Sequence, residues 1–217
     1  AIKMMYQSLR DEQAMEELKR QNLQAEMDYL KYQINPHFFM NTLNNIHALI
    51  DIDAESAKNA VIELSKMMRY VLYDSGSERI SLNRDIMFLK NYIELMRIRY
   101  TDDVQIRVEY PDNLPEQVSI PPLLLIVFVE NAFKHGVSNE KPSYITIDIH
   151  EIGDQLICKI KNSYFPKAES DRSGSGIGLQ NLAKRLRMIY PERHTFEYGL
   201  SGEADYQALL CIKLKEK

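Results

Sequence analysis

The sequence predicts an α+β protein in two parts, a helical N-terminal half followed by a half of mixed strands and helices. Three observations carry that expectation. Residues 4–34 contain no Gly or Pro and are rich in Glu, Gln, Lys, Leu and Met, all good helix formers. Apolar residues then keep recurring every three or four positions as far as Tyr100. After Thr101-Asp102-Asp103 the period changes, and Val104 to Tyr110 alternates as a half-buried strand does. The chain divides accordingly into 1–102 and 103–217.

In the first helix Leu23, Met27, Leu30 and Ile34 fall at the steps of a coiled-coil seam, which weakens upstream where Gln13 and Arg20 take apolar places. A lone amphipathic helix and a dimeric signalling helix both fit. Pro36 stands where the helix would simply continue. It removes an intrahelical hydrogen bond and clashes with the carbonyl four residues back, at roughly 3 kcal/mol, so a kink is expected there. A kink followed at once by His37 is an odd thing to build for packing alone, which makes His37 the lead candidate for chemistry. Beyond it Phe39, Leu43, Ile46 and Ile50 mark an apolar face, while His37, Asn41 and Asn44 line another. Asp51-Ile52-Asp53 reads as a turn, and Ala57, Val61, Leu64, Met68 and Val71 stripe the next helix, so an antiparallel hairpin is expected. Asp74-Ser75-Gly76-Ser77 breaks it. Ser81 is the N-cap of a third helix that buries Ile86, Leu89, Ile93, Met96 and Tyr100.

In the second half Pro111-Asp112-Asn113 ends the first strand, and Pro121-Pro122 precedes a helix over Leu123 to Gly136 that is apolar almost all round. Tyr144 to Glu151 and Gln155 to Lys161 form a hairpin about Gly153-Asp154. Residues 163–176 are a polar loop. A helix follows from about Ile177 to Tyr190, and strands near 195–198 and 206–214 finish the chain.

Bulk properties narrow the function. A net charge of -4 argues against a nucleic-acid binder. Cys158 and Cys211 sit in strand-like runs without metal-ligand spacing, which fits a reduced compartment. No stretch approaches the roughly 20 apolar residues of a membrane span, so the chain itself is expected to be soluble. It opens in mid-helix pattern and reads as a fragment of something longer.

Two segments of the second half carry more than packing. Glu130, Asn131 and Lys134 end an otherwise apolar helix, where each must be paired or hydrated. A carboxylate beside a carboxamide suits Mg²⁺, which binds through few protein oxygens plus phosphates, and Lys134 one turn on can meet phosphate. In Gly174-Ser175-Gly176-Ile177-Gly178-Leu179, three glycines open a helix, and backbone amides there can approach phosphate. Neither segment is a P-loop or a dinucleotide fingerprint.

Together, in this order and separated by a strand hairpin, Pro121 to Gly136 and Gly174 to Leu179 resemble the N box and second glycine box of the GHKL ATPase superfamily. Asn35-Pro36-His37-Phe38-Phe39-Met40-Asn41-Thr42-Leu43-Asn44 resembles the phosphoacceptor motif of LytS-type sensor histidine kinases. Met68-Arg69-Tyr70, Arg99-Tyr100, Gly178-Leu179-Gln180-Asn181 and Arg185-Leu186 match the same pattern, so the likeness spans roughly residues 25–190. The resemblance implies a helical hairpin and coiled-coil dimerisation region carrying the histidine, over 1–102, and a GHKL-type α/β sandwich that binds ATP, over 103–217. His37 would be phosphorylated from Mg-ATP, and the phosphoryl group passed to an aspartate of a response regulator. Asn131 would be the Mg²⁺ ligand, with Glu130 and Lys134 beside metal and phosphates. His135 could sit near the nucleotide; His47, His150 and His194 read as surface or structural. Residues 163–176 would form the ATP lid, with Gly174, Gly176, Gly178 and Leu179 at the phosphates.

Two departures from the family stand out. The first glycine box normally offers an aspartate to the adenine amino group, and here the strand ends in Asn162, which accepts without charge assistance. Phe38 follows His37 where many histidine kinases place an acidic base, so the base is unassigned, with Glu130 one candidate. The partners implied are a second copy of the chain and a response regulator, with membrane attachment through segments absent here and the chain on the cytoplasmic face. The competing readings are a GHKL ATPase and a degenerate ATP-binding dimerisation module, each without phosphohistidine.

Overall fold

The computed structural model describes residues 10, 12–17, 36–100, 103–111, 118–138, 140–165 and 177–214, apart from the side chains of 36, 37 and 177. Residues 12–17 are helical. The coiled-coil seam and the bend ahead of Pro36 fall outside the described residues. Helix α1 (Pro36–Ile50) has Pro36 as its first residue, where a missing N–H is no loss. Asp53 caps α2 (Ala54–Arg69), its Oδ1 accepting from the amides of Glu55 and Ser56 at 3.2 and 3.0 Å. The two helices pack as the expected hairpin.

Its buried stripe differs from the expected one. On α1, Thr42 and Ile46 are buried and Phe38, Phe39 and Leu49 partly so, whereas Leu43 and Ile50 are exposed. On α2 the core takes Ala57, Ala60, Leu64 and Met67, and leaves Val61 and Met68 outside. Each helix carries two overlapping apolar stripes, and the contacts within one chain use the neighbouring one. The helical run ends at Asp74, as expected, but its last turn, Tyr70–Asp74, widens to a π-helix, closed by the Ser75 amide on the Tyr70 carbonyl at 3.0 Å.

Helix α3 (Leu82–Arg99) starts where expected, the Ser81 Oγ accepting from the Arg84 amide at 3.4 Å. It buries Ile86, Leu89, Ile93 and Met96 as anticipated, and also Leu82, Phe88, Tyr92, Leu95 and the polar Asp85 and Asn91. A helix buried nearly all round is a central one. It lies between the hairpin and the sheet-bearing half.

Strands β1 (Ile80–Ser81) and β3 (Ser119–Ile120), too short to show a period, pair antiparallel and join the two halves of the chain. A five-stranded sheet runs in the order β2-β4-β5-β7-β6, with β2 (Val104–Glu109) parallel to β4 (Ser143–Ile152) and all other pairs antiparallel. Strand β5 (Gln155–Ser163) follows β4 through Gly153, whose φ of +66° is the left-handed value this turn requires. Strands β6 (His194–Leu200) and β7 (Asp205–Lys213) complete the sheet. Alternate residues of one face, Ile145, Ile147 and Ile149, Leu156, Cys158 and Ile160, Ala208, Leu210 and Ile212, are buried. Helices α4 (Ile126–Gly136) and α5 (Ile177–Ile189) cover that face with Phe128, Val129 and Ala132, and with Leu182 and Leu186. The sheet's other face carries Thr146, Asp148, Lys159 and Lys161, so this half is an α/β sandwich.

Helix α4 begins three residues later than the composition suggested. Leu123 to Leu125 form a turn in which Leu123 takes a φ of +60°. That left-handed value is uncommon for a bulky side chain and needs the surroundings to hold it.

Candidate functional site

Four of the predicted residues lie on α4, and the helix's neighbours define what they can do. Glu130, Asn131 and Lys134 span about one turn and follow Val127 on the same side of the helix. Gly178 faces Val127, where a Cβ would sit 3.7 Å from Cγ1. The start of α5 therefore lies against the α4 face that leads to Glu130 and Asn131, and Leu179 is buried behind it. Gly178 and Leu179, the described end of the glycine-rich segment, thus lie beside the helix segment that carries Glu130 and Asn131. Gly174 and Gly176 fall outside the described residues, as does most of the expected lid.

At the other end of α4, Gly136 meets Asn162 of β5. A Cβ added at Gly136 would lie 2.5 to 2.7 Å from the Asn162 side chain, so only glycine fits. Asn162 is buried, and its Nδ2 donates to the Ser163 carbonyl at 2.7 Å. The strand residue expected at the adenine is therefore fixed against the end of the helix expected at the phosphates. His135, half-buried one residue earlier, is on the same helix end.

Electrostatics single out Glu130. Burial pushes its carboxyl up to about 7, with the Lys134 ammonium pulling the other way. A carboxylate whose pKa sits near neutral is matched to accept a proton and give it up again. Asn131 is half-buried and Lys134 exposed, so an oxygen donor and a cation are presented at the same edge.

The link from this helix to His37 was not visible in the sequence. His37 is in the first turn of α1. Its neighbour Phe38 stacks on Tyr92 of α3, ring centroids 4.9 Å apart. Tyr92 meets Phe133 of α4 edge-on at 6.0 Å, and Phe133 stacks on Tyr100 at 6.0 Å. Burial drives the Tyr92 hydroxyl well above its usual pKa, and the Glu130 charge pushes it the same way. An aromatic wall thus runs from the residue beside His37 to the helix that bears Glu130. Four aromatic residues from three separate elements left no local signal of this contact; the nearest hint was the density of Phe and Tyr in Phe38-Phe39 and at Tyr92 and Tyr100.

A family model described as "Histidine kinase" matches residues 25–104. The chain is 30% identical over 191 residues to the sensor protein LytS of Oceanobacillus iheyensis, a match covering 82% of this chain and 32% of that protein. It is 32% identical over 189 residues to the LytS of Streptococcus mutans, with 82% and 32% covered. The chain thus spans about a third of the length of these curated relatives. Among solved structures, the histidine kinase domain of the Erythrobacter litoralis blue-light activated histidine kinase aligns at a TM-score of 0.47 and 11% identity, over 89% of this chain and 93% of that one. Acinetobacter baumannii histidine kinase AdeS aligns at 0.44 and 13%, over 91% and 96%.

Proposed function

Because the chain belongs to the histidine kinase family, of the LytS type, we propose that it is the kinase portion of a two-component sensor, which phosphorylates His37 from Mg-ATP and hands the phosphoryl group to a response-regulator aspartate. The observation that carries this reading is the packed wall from Phe38 through Tyr92 to α4, because it brings the phosphoacceptor stretch to the helix with the perturbed Glu130. In the division of labour, 1–102 supplies dimerisation and the acceptor, and 103–217 supplies ATP.

An unperturbed imidazole is mostly neutral at cytosolic pH, so the unprotonated ring nitrogen of His37 has a lone pair for attack. That nitrogen bonds to the γ-phosphorus in line with the bridging oxygen. The bond from phosphorus to that oxygen breaks, and ADP leaves with the electron pair. The other ring nitrogen's proton is shed, and Glu130 takes it, directly or through water. Asn162 accepts from the adenine amino group. Lys134 and His135 face the phosphates, and the amides around Gly174, Gly176, Gly178 and Leu179 cradle them. The half-buried carboxamide of Asn131 beside Glu130 fits Mg²⁺, a hard cation that takes few protein ligands. When bound, Mg²⁺ would neutralise phosphate charge. Phosphoryl transfer needs positioning and charge neutralisation above all, and the residues named supply both.

Leu43, Ile50, Val61, Met68 and Leu72 leave an apolar outer face on the hairpin. A second copy covers it, completing a four-helix bundle. Asn41, one turn beyond His37, helps orient the regulator or a water during phosphoryl removal. No helix among the described residues is long and apolar enough to cross a membrane; attachment would come through segments outside this chain.

Incubation with γ-labelled ATP and Mg²⁺ tests the reading. Acid-labile, alkali-stable label that vanishes in His37→Gln is the expected result. Free phosphate without protein label would replace the kinase with an ATPase, and absence of nucleotide binding would leave a dimerisation module.

A further inference from the structure

The proposed chemistry leaves unused a fully buried carboxylate, Asp85, the one such group among the described residues of the helical half. It lies in the first turn of α3, 1% exposed, and partners from three other segments reach it. The Tyr70 hydroxyl, in the π-helical turn that ends the hairpin, donates to its Oδ1 at 2.6 Å. The Leu123 amide, in the turn that starts α4, donates to the same oxygen at 3.0 Å. The Leu125 amide and the Arg185 guanidinium of α5 also act on the carboxylate, and Arg185 Nη2 donates to the Pro122 carbonyl at 3.3 Å. Asp85 Oδ2 has no hydrogen-bond partner among the described residues.

Several features at this junction are individually unfavourable. A carboxylate is buried without full hydrogen bonding. Leu123 is held at a φ of +60°. The helix ahead of Tyr70 widens into a π turn, a rare feature that is frequent at functional sites. An all-apolar junction of the same shape would avoid all three. What the polar one provides is a directional tie, because each hydrogen bond fixes an orientation that apolar contact leaves free. The tie meets the turn from which α4 grows, with Glu130 and Asn131 only two turns further on. It also holds α5, whose N-terminus bears Gly178 and Leu179. Phe88 keeps the Tyr70 ring in place, stacked at 4.4 Å.

We propose that Asp85 is a positioning residue for nucleotide binding: it preorganises α4 and α5 around ATP, and through Tyr70 it makes that arrangement depend on the end of the phosphoacceptor hairpin. The proposal rests on the reading that α4 and α5 hold ATP, and not on the identity of the acceptor. A hairpin rearrangement that withdraws the Tyr70 hydroxyl leaves Asp85 with one fewer donor and less fixed in place, so its hold on the Leu123 amide weakens and the ATP-competent arrangement becomes less populated. Apparent affinity falls in proportion to that population. The bound nucleotide can restore the arrangement, so the loss falls on KM more than on kcat.

Calorimetric titration of the 217-residue chain with Mg-ATP, and autophosphorylation kinetics, test this. Asp85→Asn and Tyr70→Phe are expected to raise the Mg-ATP Kd and KM about tenfold and about threefold, with kcat changed less than twofold. The double variant should match Asp85→Asn alone, because the hydroxyl acts only through the carboxylate. Arg84→Ala, which removes an exposed ion pair with Asp74 next door, should leave Kd unchanged. Tyr70→Phe keeps the stacked ring, so it decides the matter if Asp85→Asn does not fold. Variants that lower the urea midpoint but bind Mg-ATP within twofold of wild type would show a structural role alone and overturn the proposal. A wild-type chain that binds no Mg-ATP would overturn the functional reading beneath it.

Discussion

Gly136→Ala sets helix propensity against packing, and the structure says which wins. Alanine is favoured over glycine in a helix by about 1 kcal/mol in the interior and less at the last residue, where Gly136 stands. Against that, the new Cβ would lie 2.5 Å from Asn162 Nδ2, 2.6 Å from its Cβ and 2.7 Å from its Cγ. Ordinary contact begins nearly 1 Å further out, so α4 and β5 must move apart or Asn162 must leave its place. Overpacking of this kind costs about 1–3 kcal/mol. Displacing Asn162 also leaves its buried amide without the Ser163 carbonyl, at about 1–3 kcal/mol. The net expectation is a loss of about 2–4 kcal/mol, which urea denaturation would show as a midpoint lower by about 1 M. Gly178→Ala is the control. Its Cβ meets Val127 at an ordinary 3.7 Å, so stability should hold or rise while Mg-ATP affinity falls, because the added Cβ hinders the close approach of phosphate to the amide assigned to it. A neutral or stabilising Gly136→Ala would refute the claim that α4 and β5 are locked through Asn162.

Three further outcomes follow from named groups. With Glu130 titrating at about 7, autophosphorylation should rise through neutrality, only about a tenth of the base being ionised at pH 6; Glu130→Gln should lower the rate by about 10²-fold or more and flatten that limb, and an unchanged limb would remove Glu130 as the base. Burial raises the Asp85 pKa from 3.8 to about 6. A raised folded-state pKa means stability that is full below 3.8 and lost as pH rises through 6. Between pH 5 and 7.5 the wild type should therefore lose on the order of 1 kcal/mol more than Asp85→Asn, measured by urea melts at each pH; equal losses would place the titration elsewhere. Phe38→Ala, which removes the ring stacked on Tyr92, should lower His37 labelling about tenfold or more while leaving Mg-ATP titration unchanged, and a fall in nucleotide binding would contradict the aromatic wall as a docking contact.

Where a structural feature is local, the sequence showed it. The Ser81 cap, the Gly153-Asp154 turn and the alternation of β4 and β5 each depend on a few consecutive residues, and each stands as read. The parallel pairing of β2 with β4 and the β1–β3 ribbon depend on partners about 40 residues away, with nothing local to report them. The expected start of α4 at Leu123 failed for the same reason. Apolar composition favours helix there, but Asp85, 38 residues earlier, takes the Leu123 amide and fixes a left-handed turn. The segments that resemble an N box and a glycine box stand out in the sequence because phosphate chemistry calls for unusual residue types at close spacing. Tyr92 and Asp85 could not, since a Tyr and an Asp at helical spacing look like ordinary members of an amphipathic helix.

The shifted stripe of the hairpin shows why pattern alone was ambiguous there. Val61 and Met68 are at heptad-like spacing with Leu64, and so are Ala57, Ala60 and Met67. One set faces α1 and α3 within the chain, and the other faces outward. A helix that served a single core would need one apolar stripe about 100° wide, with polar residues opposite. Two adjacent stripes mean two packing demands, an internal one met by Ala57, Ala60, Leu64 and Met67 and an external one assigned to a second copy of the chain. The small Ala57 and Ala60 suit close approach inside the hairpin, and the longer Met68 and Leu72 suit contact across a dimer. The end of α2 is where the two demands meet, because its π turn carries Tyr70 inward to its hydrogen bond with Asp85 and leaves Leu72 on the outer face.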